Sequence, residues 1–356
     1  MLILSQADVD RLLPIGACID VMAAALAALA RGDAVLPLRT VILIPQSTDA
    51  FAVMPGFLGS RRTSTLDPHP LTLNPRPSTL APQPSIIGAK IITVWPGNHG
   101  TDFDSHQGAV LLFDPENGSL SALLDATAIT TVRTAAVSAV ATRLLARENA
   151  SKLAMIGSGV QAHAHLEAMC AVRPIRSLRV WSRNTDHART LVAVARERFE
   201  LDAEVSPTGE DAVRDADIVC TATSARQPVL NGEWLAPGTH INAIGASQAS
   251  ARELDSAAVV RSRLYVDRRE SALKEPGDIL VPLHDGDIEP DHIVAEIGEL
   301  LIGRGEGRRN DGEITLFKSL GLAVEDLASA SYVYTEALRV GAGVQVELGG
   351  ARHAAH

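Results

Sequence analysis

The stretch with the clearest chemistry is "AMIGSGVQAHAHL", residues 154 to 166. Gly157, Gly159 and Ala162 form a GxGxxA directly after an apolar run and directly before a helical one. Glycines at such a strand–turn–helix junction let backbone amides approach a pyrophosphate with no Cβ in the way, so Gly157, Gly159, Val160 and Gln161 are expected to bind a dinucleotide. Taken alone the motif is weak; a tight glycine turn with no ligand would look the same. The next strand, "SLRVWSR", discriminates between cofactors. An NAD site usually ends it with Asp or Glu for the ribose 2′-hydroxyl, whereas here Ser182, Arg183, Asn184 and Thr185 follow one another. A hydroxyl, a guanidinium and two further polar groups suit a 2′-phosphate, which Arg can hold bidentately, so NADPH is favoured and NADH remains possible. Arg183 could instead be a solvated surface residue. Thr221, Ala222 and Thr223, at the end of "ADIVCTATS", are expected to line the cofactor further along.

A second set of candidates is basic residues in apolar surroundings. Arg39 lies in "LPLRTVI", Lys90 in "GAKIITV" and Arg133 in the Ala/Val/Thr-rich "TTVRTAA". A buried charge is costly unless something anionic meets it. A substrate carboxylate would satisfy all three; the competing reading is that each forms a structural ion pair. His106, in "SHQG", could donate a proton, although a lone histidine before a strand is more often structural.

These residues need elements to hold them. From residue 152 strands and helices alternate, which predicts a parallel sheet wrapped by crossover helices over 146–310. Before it, residues 6 to 31 read as helices, opened by a Ser5 cap and stopped at Gly32. Strand-like runs follow at 39–45, 51–54, 86–94 and 108–113, then a long helix over 126–146. A last helix in "SLGLAVEDLASASYVYTEAL" is expected to return to the first domain. The fold class is therefore α/β: a Rossmann-type domain at 146–310, plus an N-terminal α+β domain formed by 1–145 with 311–356.

Residues 65 to 85 interrupt that first domain with three heptads, TLDPHPL, TLNPRPS and TLAPQPS. Six prolines remove donors and disfavour helix, so an exposed, polyproline-II-like insertion is expected. The PxP spacing is a poor match to groove-binding PxxP ligands.

Composition sets limits. The 356 residues suffice for two cores, and 46% hydrophobic with 21% charged residues is ordinary for a soluble globular chain. A net charge of −10 argues against nucleic acid or an anionic membrane surface as partner. No apolar run reaches the length of a membrane span. Cys18, Cys170 and Cys220 are far apart, as expected of free thiols in the cytoplasm and not of a disulfide frame or a metal site.

Five stretches, "GSGVQAHAHL", "TAITTVRTAAVSAVAT", "INAIGASQASAREL", "YVDRRESALKEPGDI" and "TLFKSLGLAVEDLASA", resemble the ornithine cyclodeaminase/mu-crystallin family. The likeness runs over about residues 2 to 345 and skips the proline repeat. It implies a homodimer, a Rossmann domain, and an N-terminal dimerisation domain that carries substrate-binding residues. It also implies that Arg39, Lys90 and Arg133 bind substrate and that Ser319 lies near substrate and nicotinamide. Cyclodeaminases carry an Asp after the "GA" of the strand "INAVGA" and a Lys four residues on. Here those positions hold Ser247 and Ala251, and Gly108 replaces a cofactor-contacting Thr. A seryl hydroxyl is no general base near neutral pH without a strong activator, although another carboxylate such as Glu270 could stand in. "GASQASAREL", "SHQGAVLLFDPENGSL" and "ALKEPGDI" resemble the mu-crystallin branch, whose members are similar to imine reductases. The resemblance thus implies NADPH-dependent reduction of a small cyclic ketimine carboxylate, with Lys90 and Arg133 catalytic and Ser247 near the substrate. Cyclodeamination with bound NAD, and a non-catalytic NADPH-binding protein, are the competing readings.

Overall fold

Alternation of buried and less buried residues along Ala50–Leu58 and Ile86–Val94 marks two strands with one face turned inward. The structure, a computed structural model, describes residues 1–59, 85–98 and 101–349, so the proline repeat lies outside the described residues except for Ser85. The chain divides into two units, Met1–Arg133 with Leu322–His356, and Thr134–Gly321.

In the first unit the sheet runs Val344–Gln345, Leu2–Leu4, Leu120–Asp125, His106–Phe113, Ile86–Val94, Ala50–Leu58, Ala34–Val35, with Thr40–Leu43 pairing Ala50–Leu58 off that path. All pairings are antiparallel except Leu2–Leu4 with Leu120–Asp125. Helix Ala323–Val340 packs on helix Ile15–Arg31 and on the central strands, and so brings the C-terminal segment back to this unit. Ser5 caps helix Gln6–Leu12 through a reciprocal pair with Asp8, and Gly32, at φ 82°, ends helix Ile15–Arg31. Among the described residues no single helix is long and apolar enough to cross a membrane.

The second unit is a parallel sheet in the order Asp202–Val205, Ser177–Trp181, Lys152–Ile156, Ile218–Thr221, His240–Ala243, Thr315–Lys318, Arg263–Val266, Ile293–Glu296. The chain direction of winding reverses between Lys152–Ile156 and Ile218–Thr221, and the carboxyl ends of strands at such a reversal are where open parallel sheets bind ligands.

The unit boundaries differ from the expected 145/146 and 310/311. Helix Ala126–Leu145 carries its C-terminal half into the second unit: His165 Nε2 lies 2.9 Å from Ser138 Oγ, and Asn242 Nδ2 donates to Thr142 Oγ1 at 3.0 Å. Thr315–Lys318, beyond the expected end of the alternation, is an inner strand of the parallel sheet.

Candidate active site

Lys90 points from the inward face of Ile86–Val94, in line with Ile86 and Ile92. Its ammonium meets Asp326 Oδ2 at 2.8 Å and reaches Thr130 Oγ1 at 3.4 Å. Asp326 Oδ1 accepts from Arg133 Nε at 3.0 Å, and Arg133 Nη1 donates to Glu325 Oε2 at 2.9 Å. Asp326 therefore bridges the two cations. Lys90 and Arg133 are 2% and 4% exposed, and both carboxylates are fully buried. Burial pushes the Lys90 ammonium down to about 8 from its ordinary 10.5; Asp326 opposes this, while the guanidiniums of Arg133 and Arg39 add to it. Arg39, half-buried just before strand Thr40–Leu43, is thus close enough for its charge to act on Lys90.

For Lys90 and Arg133 the structure shows the ion-pair alternative, because the chain supplies carboxylates to both itself. Glu325 and Asp326 escaped the sequence reading. Their signal was two adjacent acids in an Ala/Ser/Leu helix with Ala328, Ser329 and Ala330 at the i+3 and i+4 positions, where a surface acid often finds a base. Glu325 Oε2 also accepts from Leu322 N–H at 3.1 Å, which ties the pair to the start of helix Ala323–Val340.

His106 is exposed; its ring meets the neighbouring Ser105 hydroxyl at 3.0 Å, and its carbonyl accepts from Thr127 Oγ1 at 2.7 Å. At Gly108 a Cβ would lie 2.0 Å from the Ile91 carbonyl oxygen, so this backbone admits no side chain there.

In the second unit the expected strand–turn–helix is present at 152–172. Gly157 has φ 112°, and a Cβ on it would lie 2.3 Å from the Ala222 oxygen. Gly159 begins helix Val160–Val172 with no side-chain cap, and a Cβ there would meet nothing within 4 Å. An open glycine at an uncapped helix N-terminus fits a pyrophosphate. At the next strand end Ser182 Oγ accepts from Ser158 Oγ at 2.8 Å and from Asn184 N–H at 3.3 Å. Arg183 and Thr185 are exposed. The Asn184 side-chain oxygen accepts from Asp186 and His187 N–H as the cap of helix Thr185–Phe199, so its first role is structural.

The remaining candidates gather at the same carboxyl edge. Thr221, Ala243 and Lys318 stand side by side in register. Ala222 N–H donates to Ile156 O, Thr223 N–H to Glu253 Oε1 at 2.6 Å, and Thr221 Oγ1 to Glu253 Oε2 at 2.8 Å. Ser319 is buried, its N–H on Ala243 O at 3.0 Å, and Asp267 Oδ2 accepts from the amides of Leu320 and Gly321 at 2.6 and 2.7 Å. Ser247 is exposed and follows Ala246, a non-glycine at φ 54°. Glu270 is a surface residue paired with Arg268 and Lys274 at 2.5 and 3.3 Å; the buried acids near the Ser247 loop are Glu253 and Asp278. Glu253, Asp278 and Lys318 were not singled out in the sequence, where they lie far apart.

Known proteins share this architecture. The ketimine reductase mu-crystallin of Mus musculus is 38% identical over 303 residues, covering 85% of each chain. The structure of the Thermococcus litoralis Delta(1)-pyrroline-2-carboxylate reductase in complex with NADH and L-proline superposes with a TM-score of 0.89 at 36% identity, over 97% of this chain and 100% of that one. An archaeal alanine dehydrogenase dimer with bound NAD gives 0.87 at 31% identity, over 98% and 99%. Residues 69–341 match the model of the ornithine cyclodeaminase/mu-crystallin family, and the chain belongs to that family.

Proposed function

We propose that the protein reduces small cyclic ketimine carboxylates to the corresponding cyclic amino acids, with a nicotinamide dinucleotide as hydride donor. The observation that carries this is Lys90: a buried ammonium brought down to about 8 and held by Asp326, able to give up a proton near neutral pH. A nicotinamide dinucleotide held at the Gly157–Gly159 turn would supply the hydride for the imine carbon. Lys90 Nζ gives its proton to the ring nitrogen as the C=N π bond becomes a C–H and an N–H bond, and is reprotonated from solvent. Asp326 keeps Nζ protonated and aimed. Arg39 takes the substrate carboxylate, with Arg133 adding positive potential from its fixed place between Glu325 and Asp326. Ser247 and Ser319 are proposed as further substrate contacts. With Ser247 where a cyclodeaminase needs a base, ornithine is not a substrate.

Purified protein should consume reduced cofactor with five- and six-membered ketimine carboxylates or their sulfur analogues, and release no ammonia from ornithine. Ammonia release without imine-dependent cofactor loss sinks this reading in favour of cyclodeamination. Cofactor binding with neither reaction favours a non-catalytic binder.

NADPH is the preferred donor in this reading, although the Thermococcus relative was solved with NADH. The support is the exposed Arg183 beside Ser182, with no acid at the strand end. Arg183→Ala should weaken NADPH binding about ten- to a hundredfold, the scale of one charge-assisted contact, and leave NADH nearly unchanged. Equal affinity of the unaltered protein for both forms removes the preference.

The protein acts as a homodimer in the cytoplasm. Val35, Val41, Ile42 and Leu43 expose apolar side chains on the first unit's sheet, and their cover by a second copy is the support for the dimer reading.

A further inference from the structure

Beneath the loops at the carboxyl edge of the parallel sheet lies a second buried charge cluster that the mechanism above does not use. Glu253 accepts through both oxygens, from Thr221 Oγ1 at 2.8 Å and from Thr223 N–H at 2.6 Å. Asp278 Oδ1 accepts from Glu253 and Leu254 N–H at 2.8 and 3.0 Å, and Asp278 Oδ2 meets Lys318 Nζ at 3.0 Å. Lys318 Nζ also donates to the Gly245 carbonyl. No side chain of the three reaches solvent. Gly245 has no room for a side chain, since a Cβ would lie 2.5 Å from the Glu253 carboxyl carbon and 2.3 Å from Thr223 O. The three groups therefore hold the Thr221–Thr223 and Gly245 segments against each other at the edge where the cofactor is placed.

With both acids ionised the charges do not balance: two carboxylates face one ammonium, and the charges acting most on Glu253 are those of Lys318 and Asp278. An uncompensated buried carboxylate costs stability. Burial raises the Glu253 carboxyl above its ordinary range and Asp278 adds to this, while Lys318 and the two threonine contacts pull it back. A positive charge arriving at this edge would relieve the imbalance. Loss of a hydride, with its two electrons, leaves a nicotinamide ring with one positive charge that the reduced ring lacks.

We propose that Glu253, with Asp278 and Lys318, is a positioning residue whose surplus negative charge favours the oxidised over the reduced nicotinamide and so assists hydride departure. This rests on the reading that a dinucleotide binds along this edge. Glu253 acts through Thr221, Thr223 and the field of the cluster, with no contact to substrate.

The test is equilibrium binding of oxidised and reduced cofactor, NADP⁺ and NADPH, to the full-length protein and to Glu253→Gln. Glutamine keeps the shape and an acceptor for Thr223 N–H but removes the charge. The ratio of the two dissociation constants should shift against NADP⁺ by on the order of tenfold, the scale of one charge acting through partly screened protein. A cluster that only braced the loops would weaken both forms alike, and an unchanged ratio overturns the proposal. Asp278→Asn, which removes the other carboxylate, should shift the ratio the same way; it gives the answer if Glu253→Gln does not fold. Failure of the unaltered protein to bind either form overturns the functional reading itself, an outcome distinct from normal binding with an unmoved ratio.

Discussion

Replacing Lys90 with methionine should lower ketimine turnover by about 10²- to 10⁴-fold, the range for removal of a positioned general acid, while cofactor affinity stays within a few-fold. Methionine preserves most of the volume on the inward face of Ile86–Val94, so the loss reports the proton and not the packing. The pH profile separates this from a loss of substrate binding. In the unaltered protein kcat should fall as pH rises through about 8, where Lys90 loses its proton, and Lys90→Met should lack that limb. Stability provides a second check. The folded protein holds the Lys90 proton less tightly than the unfolded chain, about 8 against 10.5. Between those values the unfolded state binds more protons, so stability rises with pH across that window, and below it the penalty of the buried ammonium is present in full. Chemical denaturation should show this rise in the unaltered protein and not in Lys90→Met. A basic limb surviving in the variant would assign the titration to another group.

What the sequence made legible is what lies within a few residues of itself. The glycine turn at 157–159, the Ser5 cap, the stop at Gly32 and the strand before Arg183 are local patterns, and local physics decides them. The basic residues Lys90 and Arg133 stood out because they interrupt apolar runs. Their partners did not, since Glu325 and Asp326 lie 192 and 193 residues beyond Arg133 and the pairing exists only once helix Ala323–Val340 returns to the first unit. The same holds for Glu253, Asp278 and Lys318, whose strands and loops become neighbours only through the sheet order. The short strands Leu2–Leu4, Asp202–Val205, Ile293–Glu296 and Thr315–Lys318 went unread because three or four residues carry too little alternation to mark a strand. Pairing with neighbours, not local preference, makes them strands.

Asp326→Asn should be the most destabilising single change in the first unit's cluster, on the order of 3–5 kcal/mol, because it leaves a buried ammonium and a guanidinium facing one carboxylate. The asparagine oxygen can still accept from Arg133 Nε, but its amide group would face Lys90 Nζ donor to donor. Lys90 escapes by giving up its proton: a neutral amine accepts from that amide, and the remaining charges, Arg133 and Glu325, balance. The same escape removes the general acid, so turnover at neutral pH should fall nearly as far as in Lys90→Met even though the lysine remains. Two consequences can be measured together. The basic limb of the pH profile should move to lower pH in Asp326→Asn, since the group that kept Nζ protonated has gone. In the double variant Lys90→Met, Asp326→Asn the stability loss should be smaller than the sum of the two single losses, because each change removes the charge the other leaves unpaired. Strictly additive losses, measured by urea unfolding, would mean that Asp326 does not hold the Lys90 charge, and the assignment of Lys90 as the proton donor would lose its physical basis.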